Sequence, residues 1–252
     1  MIRTAFAMLA LVISTLISGV MCIVGALLNL RDGPGSIFDH AMHFWGSSIA
    51  WASGCRIVVH GREHLDGPQH IVVSNHVSRH DILVLASILR NLKFVAKNEL
   101  ARIPFFGRAA ASAGTVYIER QNRKSSFDSY RLAAEKVREG ACVVVFAEGS
   151  RGTSYSLRPF KKGPFVLALH VHAPIVPVVV HGTMEVHPKG TLRVTAGRVD
   201  VHFLEPIPTA GLTNDDRNAL AKTVYDRMAA LLVAEYGIPS LNWDPRRTPI
   251  SS

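Results

Sequence analysis

Residues 74–81, with the sequence SNHVSRHD, hold the side chains best suited to catalysis. His76 and Asp81 flank the predicted start of a helix, where the chain can turn and bring the carboxylate against one nitrogen of the imidazole. Asp81 would then fix the tautomer of His76 and stabilise its protonated form, as in other histidine–carboxylate general bases. The spacing alone fits a histidine that only packs or caps locally equally well.

A metal site is the other chemistry that this stretch suggests, because His76 and His80 have the i, i+4 spacing of helical metal ligands. Only His80 lies clearly inside the predicted helix, the HExxH context is missing, and no third ligand is evident nearby. The sequence therefore predicts no metal here.

Three further segments suit an anionic ligand. Arg120 ends a predicted strand, where a guanidinium can bind phosphate through two hydrogen bonds, although a solvated arginine is also common there. Gly149 and Gly152 flank Arg151 and let backbone N–H groups approach an anion. Residues 160–163 (FKKG) add two lysines before a helix. Each signal is weak when taken alone.

These polar segments follow short runs of β-branched residues, which are typical of strands covered on both faces. The predicted strands are residues 56–60, 71–74, 94–96, 115–118, 142–146 and 175–180, with a later pair at 192–195 and 199–204. The predicted helices are residues 79–90, 126–139, 164–172 and 213–236. This alternation predicts an α/β domain whose central sheet is mostly parallel and flanked by helices. Its functional residues should lie beyond the carboxyl ends of the strands.

The sequence marks two helix starts and two helix ends. Ser78 and Asp81 have capping-box spacing, and so do Thr213 and Asp216. Gly140 and Gly237 stand where a glycine would end the preceding helix.

The chain begins with an uncharged apolar run from Thr4 to Leu30. As a helix it would be about 40 Å long, which exceeds the roughly 30 Å hydrocarbon core of a bilayer. The run is longer than the apolar part of a signal peptide and has no clear cleavage site, so a retained anchor is favoured. Its length favours a spanning helix, whereas interruptions at Gly19, Gly25 and Asn29 favour a helix within one leaflet.

A second apolar segment, residues 37–52, has helical periodicity and contains Trp45 and Trp51. It fits an ordinary core-packing helix and an interfacial membrane helix equally well. We therefore divide the chain into a membrane-associated segment (1–54), an α/β domain (55–240) and an irregular surface tail (241–252).

Composition limits the class of protein further. The chain is 48% hydrophobic and 19% charged, which excludes a disordered chain. The net charge of +9 favours anionic partners, but the apolar anchor and the lack of an aromatic-plus-basic face argue against nucleic acid. The three cysteines form no CxxC pair, so we expect a reducing compartment and neither a disulfide framework nor a zinc site.

Taken in order, the four polar segments resemble the four motifs of the glycerolipid acyltransferase family, and most closely those of its bacterial 1-acyl-sn-glycerol-3-phosphate acyltransferases. Asn75, His76 and Asp81 match the NHxxxxD box. The second motif is matched by Gly114, Tyr117, Ile118 and Arg120, the third (EGTR-type) by residues 146–151, and the fourth by residues 174–177. The resemblance covers about residues 56–210. Arg79-His80 departs from it, because many members carry an aromatic or aliphatic pair there.

The resemblance implies transfer of a fatty acyl group from acyl-CoA or acyl carrier protein to the sn-2 hydroxyl of lysophosphatidic acid, giving phosphatidic acid. His76 would be the general base and Asp81 its orienting partner, with direct attack, because there is no G-x-S-x-G elbow and Cys142 lies within a strand. The implied substrate-binding residues are Asn75, Lys97, Gly114, Tyr117, Arg120, Glu148, Gly149, Ser150, Arg151 and Lys161.

The resemblance also implies a setting for the enzyme. No cofactor or metal is needed, and the two N-terminal segments would form a two-helix motif resting in one leaflet of a phospholipid membrane. We expect the inner membrane, with the catalytic domain facing the cytoplasm where acyl donors are made.

Two alternatives remain within this interpretation. One is a related acyltransferase with another lysolipid acceptor, such as lyso-ornithine lipid; the basic triplet Arg120, Arg151 and Lys161 favours a phosphate-bearing acceptor instead. The other is a membrane-anchored lipid-binding protein without catalysis, against which the intact pair His76 and Asp81 counts.

Overall fold

A seven-stranded sheet forms the centre of the molecule, for which a computed structural model describes residues 1–66, 70–119 and 123–246, without the side chains of 123–127. The strands are β1 (Cys55–His60), β2 (Ile71–Ser74), β3 (Leu92–Lys97), β4 (Val116–Ile118), β5 (Cys142–Phe146), β6 (Ile175–His181) and β7 (Gly197–Phe203). The helices are α1 (Ile2–Leu27), α2 (Ile37–Ser53), α3 (His80–Ile88), α4 (Phe106–Ser112), α5 (Arg123–Arg138), α6 (Gly163–Val171), α7 (Thr183–Val186) and α8 (Arg217–Tyr236).

The strand order is β1-β7-β6-β2-β5-β3-β4, and only the β6–β7 pair is antiparallel among the described neighbours. The predicted α/β fold with a mostly parallel sheet is therefore confirmed. Strands β2 and β5 are parallel and in register, with Ser74 opposite Phe146. The segments that follow these two strands consequently start side by side at one edge of the sheet, as expected for functional loops of α/β folds.

Helices cover both faces of the sheet, which explains why its central strands are almost wholly apolar. One core lies between the sheet and helices α5, α6 and α8. The other lies between the sheet and α3, with contributions from α1 and α2.

Not every predicted element forms. The strand predicted at residues 192–195 is wrong, because its backbone N–H groups bond elsewhere: Val194 donates to Thr4 Oγ1 at 3.1 Å and Thr195 to the carbonyl of Val186 at 2.9 Å. The short helices α4 and α7 were not predicted.

The predicted helix ends are mostly confirmed. Gly140 and Gly237 have positive φ angles of 89° and 65°, and Thr213 and Asp216 form a complete capping box. The box at Ser78 is wrong in one half: Asp81 accepts the Ser78 N–H, but the Ser78 hydroxyl accepts from the N–H of His80.

Helices α1 and α2 form an antiparallel hairpin on the α3 side of the sheet. Trp45 Nε1 donates to Thr15 Oγ1 at 3.0 Å, and the Ser18 hydroxyl donates to the carbonyl of Ala41 at 2.9 Å. Gly19 and Gly25 both lie inside the continuous helix α1, so their expected role as interruptions is wrong. Packing favours small residues here, because a Cβ at Gly19 would lie 2.5 Å from the ring of Phe105.

Helix α1 is long and apolar enough to cross a membrane, with a mean hydropathy of 2.5, yet both its ends contact the α/β domain. Thr4 bonds to Val194 at the start, and Asp32, just beyond the end, pairs with buried Lys93 at 2.8 Å. The face turned away from the domain exposes large apolar side chains, namely Ile2, Phe6, Leu9, Val12, Ile13, Leu16, Ile17, Val20, Val24 and Leu27.

Helix α2 has features of both predicted types, a core-packing helix and an interfacial helix. Ala41 and Ile49 are buried against neighbouring helices, whereas Trp51 is 73% exposed and packs edge-on against Phe6 of α1.

In the C-terminal tail, Trp243 is buried against Phe160 and Tyr225, so the expectation of a tail wholly on the surface is wrong. Residues 247–252 lie outside the described part of the chain.

Candidate active site

His76 and Asp81 form a hydrogen-bonded pair at the carboxyl edge of the sheet. The distance from His76 Nδ1 to Asp81 Oδ2 is 2.8 Å, and the side chains are 12% and 0% exposed. The imidazole stacks on the ring of Phe146 with a centroid distance of 4.0 Å. A proton on Nδ1 satisfies the carboxylate and leaves Nε2 as the basic nitrogen. The pair can therefore act as a histidine–carboxylate base.

The carboxylate of Asp81 is held by more donors than His76 alone. Its Oδ2 also accepts the N–H groups of Val77 and Ser78, at 2.8 and 2.9 Å, and its Oδ1 accepts the hydroxyl of Thr183. Since Thr183 follows β6, two separate segments of the chain donate to this one carboxylate. Thr183 was not predicted as a site residue, although a polar residue just beyond a parallel strand was a usable signal.

A second carboxylate, Glu148, ties the loop after β5 to His76. Its Oε1 accepts the His76 N–H at 3.0 Å, and its Oε2 accepts Arg158 Nε at 2.8 Å. Burial raises the pKa of Glu148, and the bonds from Arg158 and from the backbone of His76 oppose that rise. Gly152 N–H donates to the His76 carbonyl at 2.7 Å, so both backbone groups of His76 are held. Nothing in the sequence marked Arg158 for this role.

Asn75 has a structural place beside the pair. Its Nδ2 donates to the Val180 carbonyl at 2.9 Å and its Oδ1 accepts the Val180 N–H at 2.8 Å. Both polar groups of the side chain are thus engaged with β6. Asn75 fastens the start of the His76 loop to the neighbouring strand.

His76 borders a cavity of about 790 Å³ that extends between the α1–α2 hairpin and the α/β domain. Its inner walls are mainly apolar and include Leu11, Cys22, Met42, Phe94 and Ala113. Polar and basic side chains line it near His76, namely Arg79, Lys97, Ser150, Arg151, His187 and Lys189. A site with one basic mouth and one apolar interior suits an amphipathic ligand.

The structure brings six of the predicted residues together around this cavity: His76, Lys97, Tyr117, Gly149, Ser150 and Arg151. Asp81, Asn75 and Glu148 lie behind His76. Gly114 has a φ of 85° and packs against the side chain of Lys93, and Lys161 is exposed on the approach to α6. Arg120 lies outside the described residues.

A chain of buried histidines supports the wall of the cavity. His187 Nε2 donates to the Thr191 carbonyl at 2.9 Å, so its Nδ1 accepts from His80 Nδ1 at 3.1 Å. His80 Nε2 then accepts from the Ser53 hydroxyl at 2.8 Å. Burial, and then the neighbouring His187, lower the pKa of His80 to about 4, which keeps the ring neutral. His80 therefore connects α2 to the loop after α7 through hydrogen bonds, rather than binding a metal together with His76.

Another group of possible metal ligands, His60, Asp200 and His202, lies outside the cavity, with its ligand atoms within 4.8 Å of one another. Arg198 binds both oxygens of Asp200. The two imidazoles stack with planes 8° apart, so their in-plane lone pairs do not converge on one ion. The group fits a hydrogen-bonded ion-pair cluster better than a metal centre.

Comparison with known proteins shows which family the chain belongs to. A family model described as Acyltransferase matches residues 56–181. The chain is 33% identical over 201 residues to a 1-acyl-sn-glycerol-3-phosphate acyltransferase of Limnanthes douglasii, covering 78% of this chain and 69% of that one. The chain belongs to the acyltransferase family.

Two further relatives carry the same activity in their names. The 1-acyl-sn-glycerol-3-phosphate acyltransferase alpha of Homo sapiens is 36% identical over 183 residues, with 71% of this chain and 65% of the human protein covered. The crystal structure of PlsC, the 1-acyl-sn-glycerophosphate acyltransferase from Thermotoga maritima, superposes with a TM-score of 0.67 at 25% identity, covering 91% of this chain and 97% of that one. The predicted family and fold are confirmed.

Proposed function

We propose that this acyltransferase transfers a fatty acyl group from a thioester to the sn-2 hydroxyl of 1-acylglycerol 3-phosphate. The observation that carries this proposal is the pair His76 and Asp81, which stands where the basic mouth of the cavity meets its apolar interior. The names of the relatives supply the acceptor, and the geometry supplies a base with a place for an acyl chain beside it.

The steps of acyl transfer follow from the hydrogen bond between His76 and Asp81. With Nδ1–H donated to Asp81, Nε2 takes the proton of the acceptor hydroxyl as its oxygen attacks the thioester carbonyl. The C–S bond then breaks, the new ester C–O bond remains, and the proton passes from Nε2 to the departing thiolate. Asp81 stabilises the imidazolium formed in between.

The apolar interior gives the acyl chain a place out of water. Its walls come from α1, α2, α4 and β3, so the hairpin forms part of the substrate site as well as an anchor. Burying an acyl chain there is favourable by about 0.8 kcal/mol per methylene group.

We infer that α1 lies in one leaflet, in the inner membrane, with the catalytic domain facing the cytoplasm. Support comes from the contacts of both its ends with the α/β domain, through Thr4 and Asp32, and from its exposed apolar face. A single cysteine at exposed Ile2, in a variant with Cys22, Cys55 and Cys142 replaced, should resist an impermeant maleimide in intact spheroplasts. Labelling from outside would contradict this arrangement.

The activity itself is tested with the purified full chain in detergent or vesicles. Labelled acyl-CoA and labelled acyl carrier protein are each offered with 1-acylglycerol 3-phosphate, and the products are separated by thin-layer chromatography. Labelled phosphatidic acid is expected with at least one donor. Transfer to lyso-ornithine lipid but not to 1-acylglycerol 3-phosphate would reject the proposed acceptor, and no transfer with either acceptor would reject the proposed activity.

A further inference from the structure

Three cations from separate parts of the chain lie at the mouth of the cavity. Arg79 directly precedes α3, Arg151 lies in the loop after β5, and Lys189 follows α7. All three border the same cavity as His76. Lys189 Nζ donates to the Arg151 carbonyl at 2.8 Å, which places the ammonium group next to the Arg151 segment.

The charges of these residues are not neutralised locally. Among the described side chains, none of the three cations forms an ion pair with a carboxylate, whereas the nearby Arg158 is paired with Glu148. The charge of Asp81 raises the pKa of Arg151, but the Asp81 carboxylate already accepts four hydrogen bonds from other groups. Protein side chains therefore leave a concentrated positive charge beside His76.

The electrostatic effects on neighbouring groups agree with this placement. Burial first, and then the charge of Arg79, lower the pKa of Arg151. The charges of Arg79 and Arg151 also lower the pKa of His187 in the cavity wall, although its burial has the larger effect. The charge of Arg79 thus raises the free energy of charged Arg151, and a bound anion would relieve that repulsion.

We propose that Arg79 and Lys189 bind the phosphate of the acceptor together with Arg151, and that the three select a doubly charged phosphate monoester over a singly charged diester. This inference rests on the proposed function, because it assumes an acyl acceptor at this mouth.

Three cations distinguish a phosphate monoester from a diester by the negative charge that each carries. A phosphate monoester carries between one and a half and two negative charges near pH 7 and offers three strong acceptor oxygens, whereas a diester carries one charge. Charge-assisted hydrogen bonds are about twice as strong as neutral ones. Losing one of them should therefore weaken the monoester more than the diester.

The test compares two acceptors that differ by one methyl group, 1-acylglycerol 3-phosphate and its phosphate methyl ester. Arg79→Gln, Lys189→Gln and wild type are assayed for kcat/KM with each acceptor. Lys222→Gln is the matched control, because Lys222 is an exposed lysine of α8 that pairs with Asp226. In parallel, equilibrium binding of each acceptor to the detergent-solubilised full chain is measured without an acyl donor.

Each of the two variants should lose roughly tenfold in kcat/KM for the monoester and clearly less for the methyl ester, with the control unchanged. An unchanged kcat/KM for the monoester in either variant overturns the assignment of that residue, and an equal fall for both acceptors overturns charge selection. If wild type transfers no acyl group, the proposed function is rejected, and the binding measurements then test the cation site separately. Preferential binding of the monoester, lost in both variants, then supports the cation site, and equal binding of the two acceptors overturns it.

Discussion

Thr183 donates its hydroxyl hydrogen bond to Oδ1 of Asp81, the oxygen that His76 does not use. Both side chains are fully buried. The two oxygens of one carboxylate thus link the His76 loop to the segment after β6. This link helps to hold the carboxylate that orients the imidazole.

Replacing Thr183 by valine should lower kcat about tenfold with little change in KM, because a bond to a buried charge is lost while the cavity keeps its shape. Thr183→Ser should restore kcat, because it keeps the hydroxyl that donates to Asp81. A valine variant with the wild-type kcat would show that Thr183 does not act on the pair.

Arg151→Ala should raise the KM for 1-acylglycerol 3-phosphate more than the KM for the acyl donor, since it removes a charged partner of the phosphate. Steady-state kinetics with each substrate varied in turn measure both constants. If both KM values rise equally, or only that of the donor rises, Arg151 does not bind the acceptor.

Breaking the pair between Glu148 and Arg158 from one side should destabilise the fold. Arg158→Gln leaves a carboxylate that is 2% exposed without its cation, whereas Arg158 itself is 39% exposed and partly solvated. We expect a loss of about 1–2 kcal/mol in the free energy of unfolding. Adding Glu148→Gln should cost less than the sum of the two single changes, and strict additivity in denaturant titrations would show that the pair is not coupled.

Acid should destabilise the native state through His80. Its pKa is about 4 in the folded chain and about 6.5 when exposed, so the unfolded state binds the proton first as the pH falls. Its contribution to stability is therefore complete above about pH 6.5 and is lost between about 6.5 and 4, with a slope of up to about 1.4 kcal/mol per pH unit. His80→Gln should flatten this part of the profile, and an unchanged slope would contradict the assignment.

The sequence predicted much of the fold because the signals were local. Alternating apolar strands and helices indicated the parallel sheet, and glycines at 140 and 237 marked true helix ends. The failures concern interactions across distance. The run at residues 192–195 has the composition of a strand, but its N–H groups bond to Thr4 and Val186, which no local pattern could reveal.

The pairing of His76 with Asp81 was predictable from the sequence, because the two residues are close in sequence and follow a strand. Lys189 was not predicted to line the cavity, because only the path of the chain after β6 brings it there. Arg79 was noted only as a departure from the family motif. Gly19 was misjudged, since its packing against Phe105 joins residues that are far apart in the sequence.

If His76 removes the proton of the acceptor hydroxyl, its loss should abolish most of the activity. The measurement is kcat/KM of His76→Ala with 1-acylglycerol 3-phosphate and the preferred acyl donor, with circular dichroism to verify the fold. We expect a fall of roughly 10²–10⁴-fold with the fold intact, as for loss of a general base. A folded variant whose kcat/KM lies within about tenfold of wild type would contradict it.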